Sequence, residues 1–289
     1  MRPNFFIIGA PKCGTTSLAN WLKDHPQVFL STPKEPQYFN KDYKAQYRPK
    51  DIQEYELLFQ QAGNCLAIGE ASTGYLVSEV AVPELLKYCS RAKIIVCLRN
   101  PVSMVPSLHA QRLKEGVESK ADIKHAWELQ ETRQAGHQIP LTCIDKKLLM
   151  YGEYCLLGKQ IERLLQRVSS EQIHFTFLED IRLQPESTYK KITDFLEVDD
   201  WSCNFNIHNA GTVPRFLYIS RGVKSLVLLK QRLGLKSKFG LGSWINKMNA
   251  IERPKGNVPS EFENVLKDFF KQDIRKIERM TGKKLSHWL

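Results

Sequence analysis

No apolar run in this 289-residue chain approaches the ~18–20 residues that a membrane-spanning helix needs. The longest, Phe5–Ile8, Ile94–Leu98 and Leu226–Leu229, suit buried strands or a single helical turn. No basic leader followed by an apolar stretch and a small-residue cleavage site opens the chain. The first strand pattern begins within a few residues of Met1, so a soluble cytoplasmic protein with nothing to remove is expected. The seven cysteines (Cys13, Cys65, Cys89, Cys97, Cys143, Cys155 and Cys203) are odd in number and contain no C-x-x-C pair. That argues against a zinc site and a disulfide framework, and leaves reduced cysteines acting as small apolar side chains. Internal repeats and low-complexity tracts are absent. Acid is scarce in one region: between Gly211 and Val258 ten Lys/Arg meet only Glu252, which is +9 of the chain's net +11. Such a surface calls for acidic partners, whether phosphates, acidic glycans, an acidic carrier or anionic lipid. No DNA- or RNA-binding signature accompanies the charge.

What is present is an alternation of short β-rich runs with longer helical patterns. Strands are expected at "NFFIIGA" (4–10), "CLAIGEAS" (65–72), "KIIVCLR" (93–99) and "IHFTFLE" (173–179), with a fifth that the pattern does not place. Runs apolar at consecutive positions and separated by helices indicate a parallel sheet covered on both faces. Helices are expected from about Thr15 to Asp24, Glu153 to Arg167 and Glu186 to Leu196. A last one starts at Ser260, where Ser260-x-x-Glu263 has the form of a capping box, carries Phe262, Val265, Phe269, Ile277 and Met280, and stops at Gly282. The expected fold is α/β, three layers with a central, mainly parallel sheet, as in P-loop nucleotide-binding proteins. No composition shift divides residues 1–289, and 211–258 reads as a basic elaboration over the active face.

The first strand runs into "GAPKCGTTSL" (9–18), and a strand, a glycine-bearing loop and a helix N-terminus form an anion site. The spacing is almost that of G-x-x-x-x-G-K-[ST], but Thr15 stands at the lysine position and the lysine is Lys12. Thr15, Thr16 and Ser17 add three hydroxyls. A nucleoside-triphosphatase would hold magnesium with an acid ending a later strand. Here "KIIVCL" ends in Arg99, whose guanidinium repels a metal and attracts a second phosphate. The pattern indicates two separate phosphates and no metal, although Glu70 in "CLAIGEAS" keeps an acid available.

With both anion motifs in view, the chain resembles the PAPS-dependent sulfotransferases, whose donor is 3′-phosphoadenosine-5′-phosphosulfate. "PKCGTTSL" matches the family's P-K-x-G-T-[ST] loop, and "RNPVSMVPS" (99–107) matches R-[DN]-P-x₅-S; the two lie 83 to 87 residues apart. "TPKEPQYFN" (32–40), "GEASTGYL" (69–76) and "FLEV" (195–198) look like segments of the carbohydrate and heparan-sulfate branch. "HNAG" (208–211) with Arg215, "RPKGNVP" (253–259) and the terminal "LSHWL" look like bacterial members. The resemblance covers nearly the whole chain.

It implies roles residue by residue. Cys13, Gly14, Thr15, Thr16 and Ser17 cradle the 5′ phosphosulfate, and Lys12 neutralises the bridging oxygen as the sulfuryl group leaves. Arg99 and Ser107 hold the 3′ phosphate. Lys255 and Gly256 lie in a late loop over the nucleotide. Glu35, the glutamate of the K-E segment, takes the proton of the attacking hydroxyl, with Lys34 beside it. Two features depart from the family. Its heparan-sulfate members have a lysine where this chain has Ala71, which leaves Glu70 as a rival base. Pro106 falls inside the helix after R-N-P, where a late start or bend is expected. The small-molecule branch uses a histidine base after the second strand, where this chain has none; His109, near the second motif, is the one histidine worth testing. Arg215, Lys34, Glu70 and His109 are thus candidate substrate-side residues.

The expected function is in-line transfer of a sulfuryl group from PAPS to a hydroxyl on a carbohydrate or glycoconjugate, releasing adenosine 3′,5′-bisphosphate (PAP), without metal. Other readings are sulfation of a non-sugar hydroxyl such as a carrier-tethered or natural-product acyl group, a P-loop kinase, and a non-catalytic nucleotide- or glycan-binding module. Arg99 speaks against the kinase; Lys12 and Glu35 speak against the binding module. The basic stretch "SRGVKSLVLLKQRLGLKSK" has helical spacing and is a candidate contact for an acidic acceptor, a carrier or a membrane surface.

Overall fold

The structure, a computed structural model, describes residues 1–205, 212–232, 241–252 and 259–289. In chain order the elements are β1 (Phe5–Gly9), α1 (Thr15–Lys23), β2 (Val28–Leu30), α2 (Ile52–Leu57), β3 (Ala67–Ala71), α3 (Ala81–Tyr88), β4 (Lys93–Leu98), α4 (Pro101–Lys114), α5 (Ile123–Glu128), α6 (Gln130–Gln134), α7 (Tyr151–Cys155), α8 (Leu157–Leu165), β5 (Ile173–Phe177), α9 (Leu178–Leu183), α10 (Pro185–Leu196), β6 (Thr212–Pro214), α11 (Leu217–Arg232), α12 (Leu241–Met248), β7 (Ala250–Glu252) and α13 (Ser260–Thr281). Two compact units emerge: Met1–Pro101 with Leu156–Asn209 and Lys271–Leu289, and Val102–Cys155 with Ala210–Phe270.

The first unit is built on a five-stranded, all-parallel sheet of order β2-β3-β1-β4-β5. Every residue of β1 and β3 is buried, which is why β1 is continuously apolar or small and β3 is too except at Glu70. The path from β1 through α1 to β2 runs toward one sheet edge, and the path from β3 through α3 to β4 runs toward the other. Right-handed crossovers therefore put α1 and α3 on opposite faces. They also make the β1/β4 boundary the point where the strand order reverses, and ligands of open α/β sheets bind at the carboxyl ends of strands there. The α/β expectation is met, and the four expected strands are all present. The fifth is β2, a three-residue edge strand with Val28, Phe29 and Leu30 opposite Ala67, Ile68 and Gly69.

Several local expectations are corrected. The helix expected over 153–167 is two helices, α7 and α8, broken at Leu156, whose ψ of 69° is not helical. Asp273 of α13 then caps α8 from outside, accepting from Gly158 N at 2.8 Å and Lys159 N at 2.9 Å. Ser260 is the first residue of α13 rather than its cap, and Glu263 N donates to the Pro259 carbonyl. The buried stripe of α13 is Phe262, Leu266, Phe270, Ile274 and Ile277, whereas Val265 and Phe269 are about half exposed. Gly282, at φ +69°, ends it as expected. α4 starts directly at Pro101 and runs through Pro106 to Lys114, so its start is not delayed.

In the second unit β6 and β7 pair antiparallel, with Pro214 opposite Ala250. Asn249 staples α11, donating to the Phe216 carbonyl at 2.9 Å and Ser220 Oγ at 3.2 Å. A fully buried ion pair joins Arg133 to Glu118 through two 2.7 Å bonds, and Tyr151 Oη donates to the same carboxylate at 2.8 Å. Among the described residues no helix is long and apolar enough to cross a membrane.

Candidate active site

The loop Ala10–Gly14 leaves β1 at the reversal point. It is anchored beneath by Ala10 N, which donates to the Cys97 carbonyl of β4 at 2.7 Å. Two of its residues take left-handed backbone, Lys12 at φ +66° and Gly14 at φ +86°. For lysine that conformation costs about 1 kcal/mol, and it persists only where surroundings impose it. Gly14 has no alternative: a Cβ would lie 2.8 Å from Ile181 Cδ1 and 3.1 Å from Leu178 Cδ1. Gly14 is also the N-cap of α1, so no side chain caps that helix, and its first turn contains no acid. An uncapped, acid-free N-terminus carrying Thr15, Thr16 and Ser17 fits an anionic group. Thr15 and Ser17 are buried and Thr16 is half-buried. Cys13 is fully buried, Sγ facing the Pro11 carbonyl at 3.4 Å, and burial pushes its thiol up to about 12. Its side chain is part of the packing under the loop.

Arg99 follows β4 and reaches across the same boundary. Its Nη1 donates to the Lys12 carbonyl at 3.2 Å, so the two anion motifs of the sequence are joined by a hydrogen bond. Asn100 Nδ2 in turn donates to the carbonyl of Trp288 at 3.1 Å, and the buried Trp288 indole donates to Glu179 at 3.1 Å. The terminal "LSHWL" thus pins the chain at Arg99. Ser107 lies in the second turn of α4, half-buried.

Glu35 sits on the loop after β2, also in left-handed backbone at φ +61°, with its N–H donating to the Ala71 carbonyl at 3.0 Å. Its side chain is 37% exposed. Three donors hold the carboxylate: Lys34 Nζ at 3.0 Å, Gln37 Nε2 at 3.0 Å and Thr73 Oγ1 at 3.2 and 3.3 Å. Thr73 belongs to the segment leaving β3, which is tied to the end of β1 by Ser72 N donating to the Ile7 carbonyl and Leu76 N to that of Ile8. Glu35 and the Lys12 loop therefore leave the carboxyl ends of the two strands that flank β3. Gln37 and Thr73 were not singled out from sequence, although both lie inside the segments that resemble the glycan branch.

The remaining candidates fall elsewhere. Glu70 is completely buried on β3, its oxygens taken by Tyr55, Tyr75 and Ser72 hydroxyls. This corrects its reading as a substrate-facing group or rival base, because both oxygens are enclosed. His109 is buried, with Nε2 at 2.8 Å from the Lys120 carbonyl and its ring against Tyr151. It is a packed side chain rather than an exposed base. Arg215 is exposed, its guanidinium 5.3 Å from the Phe216 ring centre. "HNAG", Lys255 and Gly256 lie outside the described residues. Among the described residues no group of three or more His, Cys, Asp or Glu is placed to hold a metal ion.

A family model for the sulfotransferase domain matches residues 2–210, and the chain belongs to that family. Membrane-associated sulfotransferase kil1 of Dictyostelium discoideum is 37% identical over 102 residues, 35% of this chain and 21% of that protein. Heparan sulfate glucosamine 3-O-sulfotransferase 3B1 of Mus musculus is 25% identical over 282 residues, 97% of this chain and 64% of that protein. The chain thus spans from about a fifth to just under two thirds of these relatives' lengths. A crystal structure of a sulfotransferase from Alicyclobacillus acidocaldarius shares the fold, with a TM-score of 0.73 at 22% identity over 100% of this chain and 99% of that one.

Proposed function

We propose that this protein transfers the sulfuryl group of PAPS to a hydroxyl of a carbohydrate or glycoconjugate and releases PAP. The observation that carries this reading is the setting of Glu35. An ionised carboxylate has about four acceptor sites. Lys34, Gln37 and Thr73 supply three protons to them, which leaves room for one more donor, the attacking hydroxyl. The half-exposed side chain gives that hydroxyl access, and the three donors hold the carboxylate still.

The roles of the other residues are those that the family resemblance implies, and their charges suit them. The first turn of α1, with Thr15, Thr16 and Ser17, binds the 5′ phosphosulfate, and Lys12 stabilises the negative charge that gathers on the departing phosphate oxygen. Arg99 binds the 3′ phosphate, with Ser107 assigned to the same group by its motif alone. Glu35 removes the proton as the new S–O bond forms. Fixing donor and acceptor in line supplies the remaining acceleration. The 25% identity to a heparan sulfate sulfotransferase over almost the full chain supports an acidic glycan acceptor.

The test is transfer of ³⁵S from PAPS to a panel of glycan, carrier-bound and small-molecule hydroxyls, with and without EDTA. Transfer that survives EDTA is expected. Glu35→Gln lowers kcat by about 10²–10⁴-fold with PAP affinity kept, and Lys12→Ala lowers it by about 10²–10³-fold. Wild-type turnover in Glu35→Gln removes Glu35 as the base, and a requirement for Mg²⁺ sinks the reading. Transfer confined to non-sugar hydroxyls moves the acceptor class and leaves the chemistry in place.

A further inference from the structure

A buried carboxylate needs a reason, because an apolar side chain at the same place avoids the desolvation. Glu70 is 0% exposed in a central part of the sheet, and among the described residues its partners are hydroxyls rather than a cation. Tyr55 Oη donates to Oε1 at 3.0 Å, Tyr75 Oη to Oε1 at 2.7 Å and Ser72 Oγ to Oε2 at 2.6 Å. A hydroxyl has one proton and two lone pairs. With their protons directed at Glu70, Ser72 and Tyr75 keep lone pairs for other donors. Those donors are consecutive backbone amides: Gln37 N meets Ser72 Oγ at 3.1 Å, Tyr38 N meets Tyr75 Oη at 2.9 Å and Phe39 N meets it at 3.3 Å.

The three amides immediately follow Glu35-Pro36. Glu35 and Gln37 both have left-handed backbone, at φ +61° and +55°, which for non-glycine residues needs outside support. The contact is close: a Cβ on Gly74 would sit 2.8 Å from Gln37 Oε1 and 2.9 Å from Asn40 Nδ2. We propose that Glu70 is a positioning residue: by orienting the Ser72 and Tyr75 hydroxyls it fixes the backbone of Gln37–Phe39, and so the turn that presents Glu35. The assignment of a catalytic consequence rests on Glu35 being the base. An ionised carboxylate serves here because it only accepts, so all three hydroxyl protons point one way. An amide at the same place also donates, and it reverses the demand on one hydroxyl.

The experiment compares Tyr75→Phe, Glu70→Gln and Ser72→Ala with Glu35→Gln at pH 8. Hydrogen exchange is read at the amides of residues 37–39, and kcat and KM for PAPS are measured on the same samples. Exchange at Tyr38 and Phe39 is expected to rise at least about tenfold in Tyr75→Phe, and exchange at Gln37 to rise in Ser72→Ala. With these changes kcat falls by about 10–100-fold while KM for PAPS stays within about twofold, a split that general destabilisation would not give. Glu35→Gln leaves the exchange unchanged and loses more activity. Unchanged exchange in folded Tyr75→Phe and Ser72→Ala overturns the proposal. So does a Glu70→Gln as inactive as Glu35→Gln beside a fully active Tyr75→Phe, which would make Glu70 the base. Ser72→Ala keeps all aromatic packing and serves if Tyr75→Phe does not fold. A Glu35→Gln with wild-type turnover removes the base assignment alone, since the exchange result stands independently of it.

Discussion

Glu70 sets the pH dependence of stability at the scale of one residue. Burial pushes its carboxyl up to about 7, and the hydroxyl bonds from Ser72, Tyr75 and Tyr55, which favour the anion, offset only part of that. The unfolded chain releases the proton near the ordinary glutamate value of 4.5, while the folded protein keeps it to about 7. Between those values the folded state binds more proton, so stability falls as pH rises through the window. Urea unfolding of the wild type beside Glu70→Gln should show the wild type losing up to roughly 3 kcal/mol relative to the variant between pH 4.5 and 8. Parallel curves would mean that Glu70 is not buried as described. Glu35 and Glu70 also show what sequence could and could not reveal. Both were visible as acids near the anion loop, and motif position pointed to Glu35. The burial that separates them was not visible, because it depends on Tyr55, Ser72 and Tyr75 converging from different segments. The left-handed backbone of Lys12, Glu35 and Gln37 was equally hidden, since no glycine marks it.

At the scale of elements, the junction of β1 and α1 depends on Gly14. Its φ of +86° suits glycine, and a Cβ would press on Ile181 and Leu178 of α9. Gly14→Ala should cost about 1–3 kcal/mol in unfolding free energy from backbone conformation and crowding together. Relief requires the first turn of α1 to move away from α9, so PAP affinity should fall at least about tenfold as its backbone donors shift. Calorimetric PAP titration and thermal unfolding check both effects; intact affinity would show that the turn does not bind the anion. Gly14 was legible because a glycine in a strand-loop-helix motif has few other uses. The long parallel strands were legible for a similar reason, since burial on both faces leaves a continuous apolar run. The edge strand β2 was not, because three residues between Pro26 and Pro33 carry no periodicity. The break at Leu156 was missed because Leu157, Ile161 and Leu164 keep helical spacing beyond it, and the cap that starts α8 is Asp273, over a hundred residues away.

At the scale of the whole molecule, charge is the property most directly readable from sequence. The chain carries +11, of which +9 falls between Gly211 and Val258. Arg215, Arg221 and Lys230 are exposed there among the described residues, while Lys236, Lys238, Arg253 and Lys255 lie outside them. A field of this sign concentrates a polyanion and speeds its encounter, and salt weakens it because the screening length shrinks from about 10 Å at 0.1 M to about 3 Å at 1 M. A sulfated or carboxylated glycan acceptor should therefore show kcat/KM falling by at least about tenfold between 50 and 300 mM NaCl, mostly through KM. An uncharged sugar or alcohol acceptor should change far less over the same range, which separates steering of the acceptor from any effect of salt on PAPS. Reversing Arg221 and Lys230 to Glu should flatten the salt dependence for the glycan and leave PAP affinity unchanged. A glycan acceptor whose kcat/KM does not respond to salt would remove the acidic-glycan reading and favour a neutral hydroxyl, even with sulfuryl transfer intact.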